Sequence, residues 1–255
     1  MRIVVKVGTS TLTHASGKLN LRRFDALCKV LADLKNAGHK VVLVSSGAIA
    51  TGVGKLSLPA RPADIPTKQA VAAVGQCELM FTYEKSFSEY GHTVAQILIT
   101  GEDMQSADRH KNFENTVEKL LEMDILPIIN ENDTVSTAEI ALGDNDTLAA
   151  LVAVGIKADL LVLLSDIDGL YTADPHKCEN AELIPVVEKI TDEICALAGG
   201  AGSSRGTGGM ETKLNAAKTC NAAKIDMIIA NGANPELLYG AVEGQSVGTR
   251  FKGGK

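Results

Sequence analysis

The chain has no apolar run long enough to span a membrane, no C-x-x-C pair, no histidine cluster and no excess of positive charge. Each absence removes a class of function. A membrane helix needs about 20 consecutive apolar residues. The opening stretch MRIVVKVGTS turns polar too soon for a signal peptide, so the expected location is the cytoplasm. Cys28, Cys77, Cys178, Cys195 and Cys220 are scattered along the chain, which points to packing residues rather than a disulfide framework or a zinc site. With 25 Lys and Arg against 31 Asp and Glu, the formal net charge is −6. That balance argues against a general binder of nucleic acid or membrane surfaces. The P-loop spelling G-x-x-x-x-G-K-[ST] is missing as well: in GTGGMETK, residues 206–213, the glycines end at Gly209 and Lys213 comes four positions later.

What is present is enough apolar sequence, 45% of 255 residues, to bury a large core as one α/β domain or two closely joined lobes. IVVKV, KVVLVSS, HTVAQILI, DILPIIN, ADLLVLLSD and KIDMIIA are apolar on both faces, as strands of a parallel sheet covered by helices are. Helix-like segments lie between them at Leu21–Asn36, Asp64–Tyr90, Ala107–Met123, Asp146–Lys157 and Met210–Ala223. The alternation predicts a three-layer α/β/α sandwich with a mainly parallel central sheet. GKLSLPARPADIP, residues 54–66, reads as a flexible excursion suited to a lid or an assembly contact.

In open sheets of this kind ligands sit beyond the carboxyl ends of the strands, so residues just after each run are the candidates. After the second strand, Ser45, Ser46 and Gly47 turn into a helix, offering backbone N–H groups and a hydroxyl to an anion. After DILPIIN, the stretch containing Asn130, Asn132, Asp133, Asp144, Asn145 and Asp146 holds more acid and amide than a helix cap requires. In the first strand Lys6 interrupts a run that should be buried, and a buried ammonium needs an anionic partner or loses its charge; an edge-strand lysine reaching out to water is the alternative. Glycines followed by a helix start and Lys213 supply the physical parts of a phosphate site, though a surface loop leading into an ordinary helix would read the same. LLSDIDGLYTADP admits two further readings. A calcium loop fails, because Ile167 and Leu170 fall among the expected ligands and Lys177 stands where Glu is needed. A phosphatase of the haloacid dehalogenase type, with Asp166 as nucleophile and Asp168 as acid, remains a rival.

KVGTS, VSSGAIATG, KQAVAAVGQ, INENDTVSTAEIALGDND, LLSDIDGLYTADP, GTGGMETK and SVGTRF occur in this order, and together they resemble the glutamate 5-kinases of the amino acid kinase family over nearly the whole chain. The resemblance implies the carbamate kinase-like fold. It also implies transfer of the ATP γ-phosphoryl group to the side-chain carboxylate of L-glutamate, giving glutamyl 5-phosphate on the way to proline. That carboxyl, with a reference pKa of about 4.3, is already ionised at neutral pH, so no general base and no catalytic histidine is needed.

By the same resemblance, Lys6 and Lys213 contact the phosphates and Asp146 orients both lysines. Ser46, Gly47, Asp133 and Asn145 match glutamate-binding positions, with Asn130 close by. Ser165, Asp166, Thr207, Gly208, Gly209, Met210, Glu211, Thr212 and Lys213, with Lys6, match nucleotide-binding positions; Ser165 keeps the hydroxyl of a position often Thr in the family. Magnesium would be held mainly by phosphate oxygens and water, with no protein ligand set. The implied organisation is a glutamate lobe over about 1–157 and a nucleotide lobe over about 158–255. Many members continue into a small PUA domain, whereas this sequence ends at SVGTRFKGGK, so a kinase domain alone is expected. Feedback inhibition by proline and assembly into dimers or tetramers are further implications. A small-molecule sensor on the same fold, without catalysis, is the alternative from outside enzymology.

Overall fold

Four aliphatic positions out of six would be wasted on a surface strand, and β1 (Arg2–Val7) is not one: Ile3, Val4, Val5 and Val7 have no exposed surface. The computed structural model describes residues 1–136, 145–175, 177–178, 180–197 and 209–254. After β1 come α1 (Thr9–Leu12), α2 (Leu21–Asn36), β2 (Lys40–Val44), α3 (Ala48–Lys55), α4 (Ile65–Ser88) and β3 (Val94–Ile99). Then follow α5 (Gly101–Gln105), α6 (Ala107–Glu122), β4 (Leu126–Glu131), α7 (Asp146–Gly155) and β5 (Leu160–Ser165). The remaining described elements are β6 (Val186–Val187), α8 (Asp192–Leu197), α9 (Met210–Ala222), β7 (Asp226–Asn231), α10 (Leu237–Glu243) and β8 (Thr249–Phe251).

The strands form one sheet in the order β3-β4-β2-β1-β5-β7-β8-β6. Pairing is parallel throughout except between β7 and β8. Side chains alternate between two faces, as a pleated strand requires. Val4, Val42, Val44 and Leu163 enter one apolar cluster with residues of α6, α7 and α9. Ile3, Val5, Leu43 and Val162 enter the other with residues of α2, α4 and α10. The three-layer α/β/α sandwich is therefore the observed architecture. β6 and β8 escape the sequence reading because two or three residues are too few to show a period.

The segment 54–66 is less of a loop than its prolines imply. Gly54 and Lys55 complete α3, while Ile65 and Pro66 open α4, where Pro suits a first turn. Asp64 caps α4 by accepting from the Thr67 N–H at 2.9 Å. The two helices flanking the segment meet at backbone contact. A Cβ on Gly75 would stand 1.8 Å from the Ala48 carbonyl oxygen, and one on Gly52 would stand 2.1 Å from that of Val71. Only glycine fits at either point.

Candidate active site

Lys6 follows the parity of Val4 along β1, so it faces the side of the sheet covered by α7 and α9. β1 lies between β2 and β5, which removes the edge-strand explanation of this lysine. Its Nζ lies 2.6 Å from Asp146 Oδ1. Asp146 is the first residue of α7, and its second oxygen lies 3.0 Å from Lys213 Nζ, contributed by the first turn of α9. Thr212 Oγ1 is 3.2 Å from the same oxygen. All three ionic groups are buried. Burial alone would raise the Asp146 carboxyl, but the charges of Lys6 and Lys213 outweigh it and hold the group well below the ordinary carboxylate range. Two ammonium groups share this carboxylate, close to the N-termini of α7 and α9, whose dipoles favour negative charge. The arrangement is built to receive an anion.

A second cluster adjoins the first through the neighbour of Asp146. Asn145 Nδ2 lies 2.9 Å from the Ser45 carbonyl oxygen, 2.9 Å from Ser46 Oγ and 3.0 Å from Asn130 Oδ1. These contacts join the start of α7 to the turn before α3 and to the end of β4. In that turn Gly47 has φ +97°, a left-handed conformation that L side chains rarely adopt. Asn130 Oδ1 also accepts from the Glu131 N–H at 2.9 Å. Asp133 sits half-buried in the turn after β4; burial first, then the Glu131 charge, push its carboxyl up to about 6, against an opposing pull from Arg61. Glu131 is itself raised, mainly by burial.

Ser165 ends β5, the strand beside β1, Asp166 follows it, and Ser165 Oγ donates to Asp166 Oδ1 at 3.1 Å. Gly209 caps α9 with open space where a Cβ would be, and Met210 and Glu211 precede Thr212 in its first turn. Thr207, Gly208 and Asp144 lie outside the described residues. Thus Lys6, Asp146, Thr212 and Lys213 are brought together by contact, as are Ser46, Asn130 and Asn145, while Asp133 lies in the turn after β4 and feels the charges of Glu131 and Arg61. Asp168, the acid of the phosphatase reading, is engaged elsewhere: Tyr171 Oη and Asn231 Nδ2 donate to its oxygens at 3.0 and 2.7 Å.

Three participants carried no role in the sequence reading. Gln76 Oε1 accepts from Asn130 Nδ2 at 2.9 Å, Tyr83 Oη lies 2.9 Å from Ser45 Oγ, and Glu131 is buried beside Asn130. A polar residue closing the small-residue stretch KQAVAAVGQ was the available signal for Gln76. Tyr83 had none, since a buried tyrosine on a helix reads as core.

Residues 1–231 match the amino acid kinase family. A protein of Clostridium tetani (strain Massachusetts / E88) named glutamate 5-kinase is 57% identical over 249 residues, covering 98% of this chain and 93% of its own length. One of Clostridium perfringens (strain 13 / Type A) with the same name is 53% identical over 254 residues, covering 98% and 94%. Among solved structures, carbamate kinase from Giardia lamblia bound to AMP-PNP shares the fold with TM-score 0.68 at 17% identity, over 98% of both chains. UMP kinase from Ureaplasma parvum does so with TM-score 0.66 at 14% identity, again over 98% of both. Neither the phosphatase nor the sensor reading is favoured by such relatives. A family match over most of the sequence, with relatives above half identity along nearly all of it, places this chain in the amino acid kinase family.

Proposed function

We propose that this chain is a glutamate 5-kinase, transferring the γ-phosphoryl group of ATP to the side-chain carboxylate of L-glutamate as the first step of proline biosynthesis. The observation that carries the reading is the junction of two clusters at Asn145 and Asp146. A buried Lys6–Asp146–Lys213 group suits phosphoryl oxygens, and the adjoining Ser46, Asn130 and Asn145 amide and hydroxyl set suits a small zwitterion. The high identity to proteins named glutamate 5-kinase selects glutamate as that molecule.

Phosphoryl transfer to an ionised carboxylate asks a protein for alignment and charge relief rather than proton removal. In this proposal Lys6 and Lys213 draw the transferring group from two sides, and Asp146 keeps the ammonium groups together before ATP arrives. Ser46, the Gly47 N–H, Asn130 and Asn145 hold glutamate, and Asp133 faces its α-ammonium. Ser165, Asp166 and the start of α9 from Gly209 to Lys213 hold the nucleotide. Magnesium fits through phosphate oxygens and water, since Asp146 is already engaged by both lysines; bound there, it would neutralise phosphate charge. The glutamate lobe would comprise about 1–157 and the nucleotide lobe about 158–255. Cytoplasmic location, feedback inhibition by proline and homo-oligomeric assembly belong to the same reading.

Incubation with ATP, magnesium, glutamate and hydroxylamine tests it. A glutamate kinase yields glutamyl hydroxamate; a phosphatase releases phosphate from an ester without glutamate, and a sensor does neither. Absence of hydroxamate from a folded sample would reject the proposal.

A further inference from the structure

Helix α4 sends two polar side chains, Gln76 and Tyr83, from one face into the ends of β2 and β4. They stand two turns apart. The approach depends on Gly75, beside Gln76, whose missing Cβ lets α4 rest on the Ala48 carbonyl. Gln76 Oε1 takes the Asn130 Nδ2 hydrogen at 2.9 Å.

That bond closes a nearly complete set of amide contacts. Asn130 Oδ1 accepts from the Glu131 N–H and from Asn145 Nδ2, and Asn145 Nδ2 also reaches the Ser45 carbonyl. The Glu131 N–H can only donate and the Ser45 carbonyl can only accept, so the two amides have one consistent orientation. Asn130 turns its nitrogen to Gln76. Asn145 then shows its oxygen to whatever lies beyond, and among the described residues this Oδ1 has no hydrogen-bond partner although the residue is 1% exposed. A buried acceptor left open is costly unless a ligand supplies the donor.

We infer that Gln76 is a positioning residue that sets the preference of the glutamate site for an ammonium group, by holding the Asn130–Asn145 amide pair so that Asn145 Oδ1 faces the substrate as an acceptor. The inference rests on the glutamate kinase reading. Without Gln76, the Asn130 Nδ2, in a residue 2% exposed, loses its acceptor and the side chain turns to find another. The bond to Asn145 goes with it, and a site that no longer demands a donor discriminates less against ligands lacking one.

Gln76→Leu removes the acceptor while keeping most of the side-chain volume. Hydroxamate formation at varied glutamate and ATP gives the two KM values, and glutarate, which lacks the ammonium, serves as a competitive inhibitor against glutamate. The expected result is a KM for glutamate raised about tenfold, kcat and the KM for ATP within about twofold of wild type, and an unchanged inhibition constant for glutarate. Equal weakening of glutamate and glutarate, or an unmoved glutamate KM, would overturn the role given to Gln76 while leaving the kinase reading intact. No glutamyl hydroxamate from the wild type would overturn both. Should Gln76→Leu fail to fold, Gln76→Ala removes the amide without adding bulk and is read by the same split.

Discussion

Lys6 Nζ lies 2.6 Å from Asp146 Oδ1, with 10% and 1% of the two side chains exposed. Lys213 takes the other oxygen at 3.0 Å. A buried pair is often no more stable than an apolar replacement, so a lysine–aspartate–lysine group between a central strand and two helix starts is poorly explained as a device for stability. It is well explained as a preorganised positive site that needs no rearrangement when charge develops on a phosphoryl group.

Replacing Lys6 or Lys213 with Met keeps the apolar stem and deletes the ammonium. Each change should lower kcat by about 10²–10³-fold, the order seen when one preorganised donor is lost, with little change in the glutamate KM. If both lysines act on one group, as proposed, the double variant should fall short of the product of the single losses. Steady-state rates on variants shown to melt normally by circular dichroism check this. A folded Lys6→Met enzyme at the wild-type rate would remove β1 from the active site.

Asp146→Asn should also lower kcat, since a neutral amide holds two ammonium groups together less well. It carries a stability signature too. The Asp146 carboxyl is depressed in the folded protein, so its contribution is present above the ordinary value of 3.8 and is lost as pH falls through the folded value. A plot of Tm against pH should therefore have a shallower acid limb in Asp146→Asn than in wild type.

Asp133 works in the opposite sense. Its carboxyl is raised to about 6, so its contribution to folding is present below 3.8 and is lost as pH rises through about 6. The charge that its proposed place opposite an ammonium requires is mostly present only above that value. For glutamate, kcat/KM should fall about tenfold per pH unit below about 6, and Asp133→Asn should flatten that limb. At neutral pH Asp133→Ala should raise the glutamate KM about 10–100-fold and the ATP KM far less. Equal effects on both substrates would take Asp133 out of the glutamate site.

Asp166 separates kinase from phosphatase by a single substitution. If it contacts only the nucleotide, Asp166→Asn should lose activity at low ATP and regain much of it at saturation. Mass spectrometry of the wild type after turnover should find no phosphoaspartate at position 166. A trapped phosphoenzyme there would reverse the assignment.

Gly75→Ala should show how tightly α4 is seated. The added methyl would meet the Ala48 carbonyl oxygen at 1.8 Å, a backbone atom that cannot swing aside. Overpacking of this kind costs at least about 2 kcal/mol, which lowers Tm by roughly 4–8 °C in a protein of this size. Because the helix must shift outward, the glutamate KM should rise as it does for Gln76→Leu. A scan of thermal stability and both KM values reads the two effects.

Runs such as IVVKV and LLVLLS, short and apolar on both faces, carry the pattern of central strands covered by helices on both sides, and their alternation with longer helical segments distinguishes them from a buried helix. Leu21–Asn36 is a helix with the same bounds in sequence and structure, since its apolar spacing and the Asn20 cap are local signals. The candidate residues after each strand were legible for a similar reason: the rule that open sheets bind at strand ends depends on chain order alone. Sequence by itself thus determined the layers, most of the elements and the chemical character of the site. Which groups touch was decided by the sheet order β4-β2-β1-β5, which sets Lys6 beneath the helices bearing Asp146 and Lys213 and brings Asn130 within reach of Asn145. Gln76 and Tyr83 join them only because α4 closes onto α3 at glycine contact, and β6 and β8 exist only because the sheet offers them an edge. These contacts link residues far apart in the chain, and no local period or propensity encodes them. They follow from packing, where the closest approach of two backbones selects which side chains can meet.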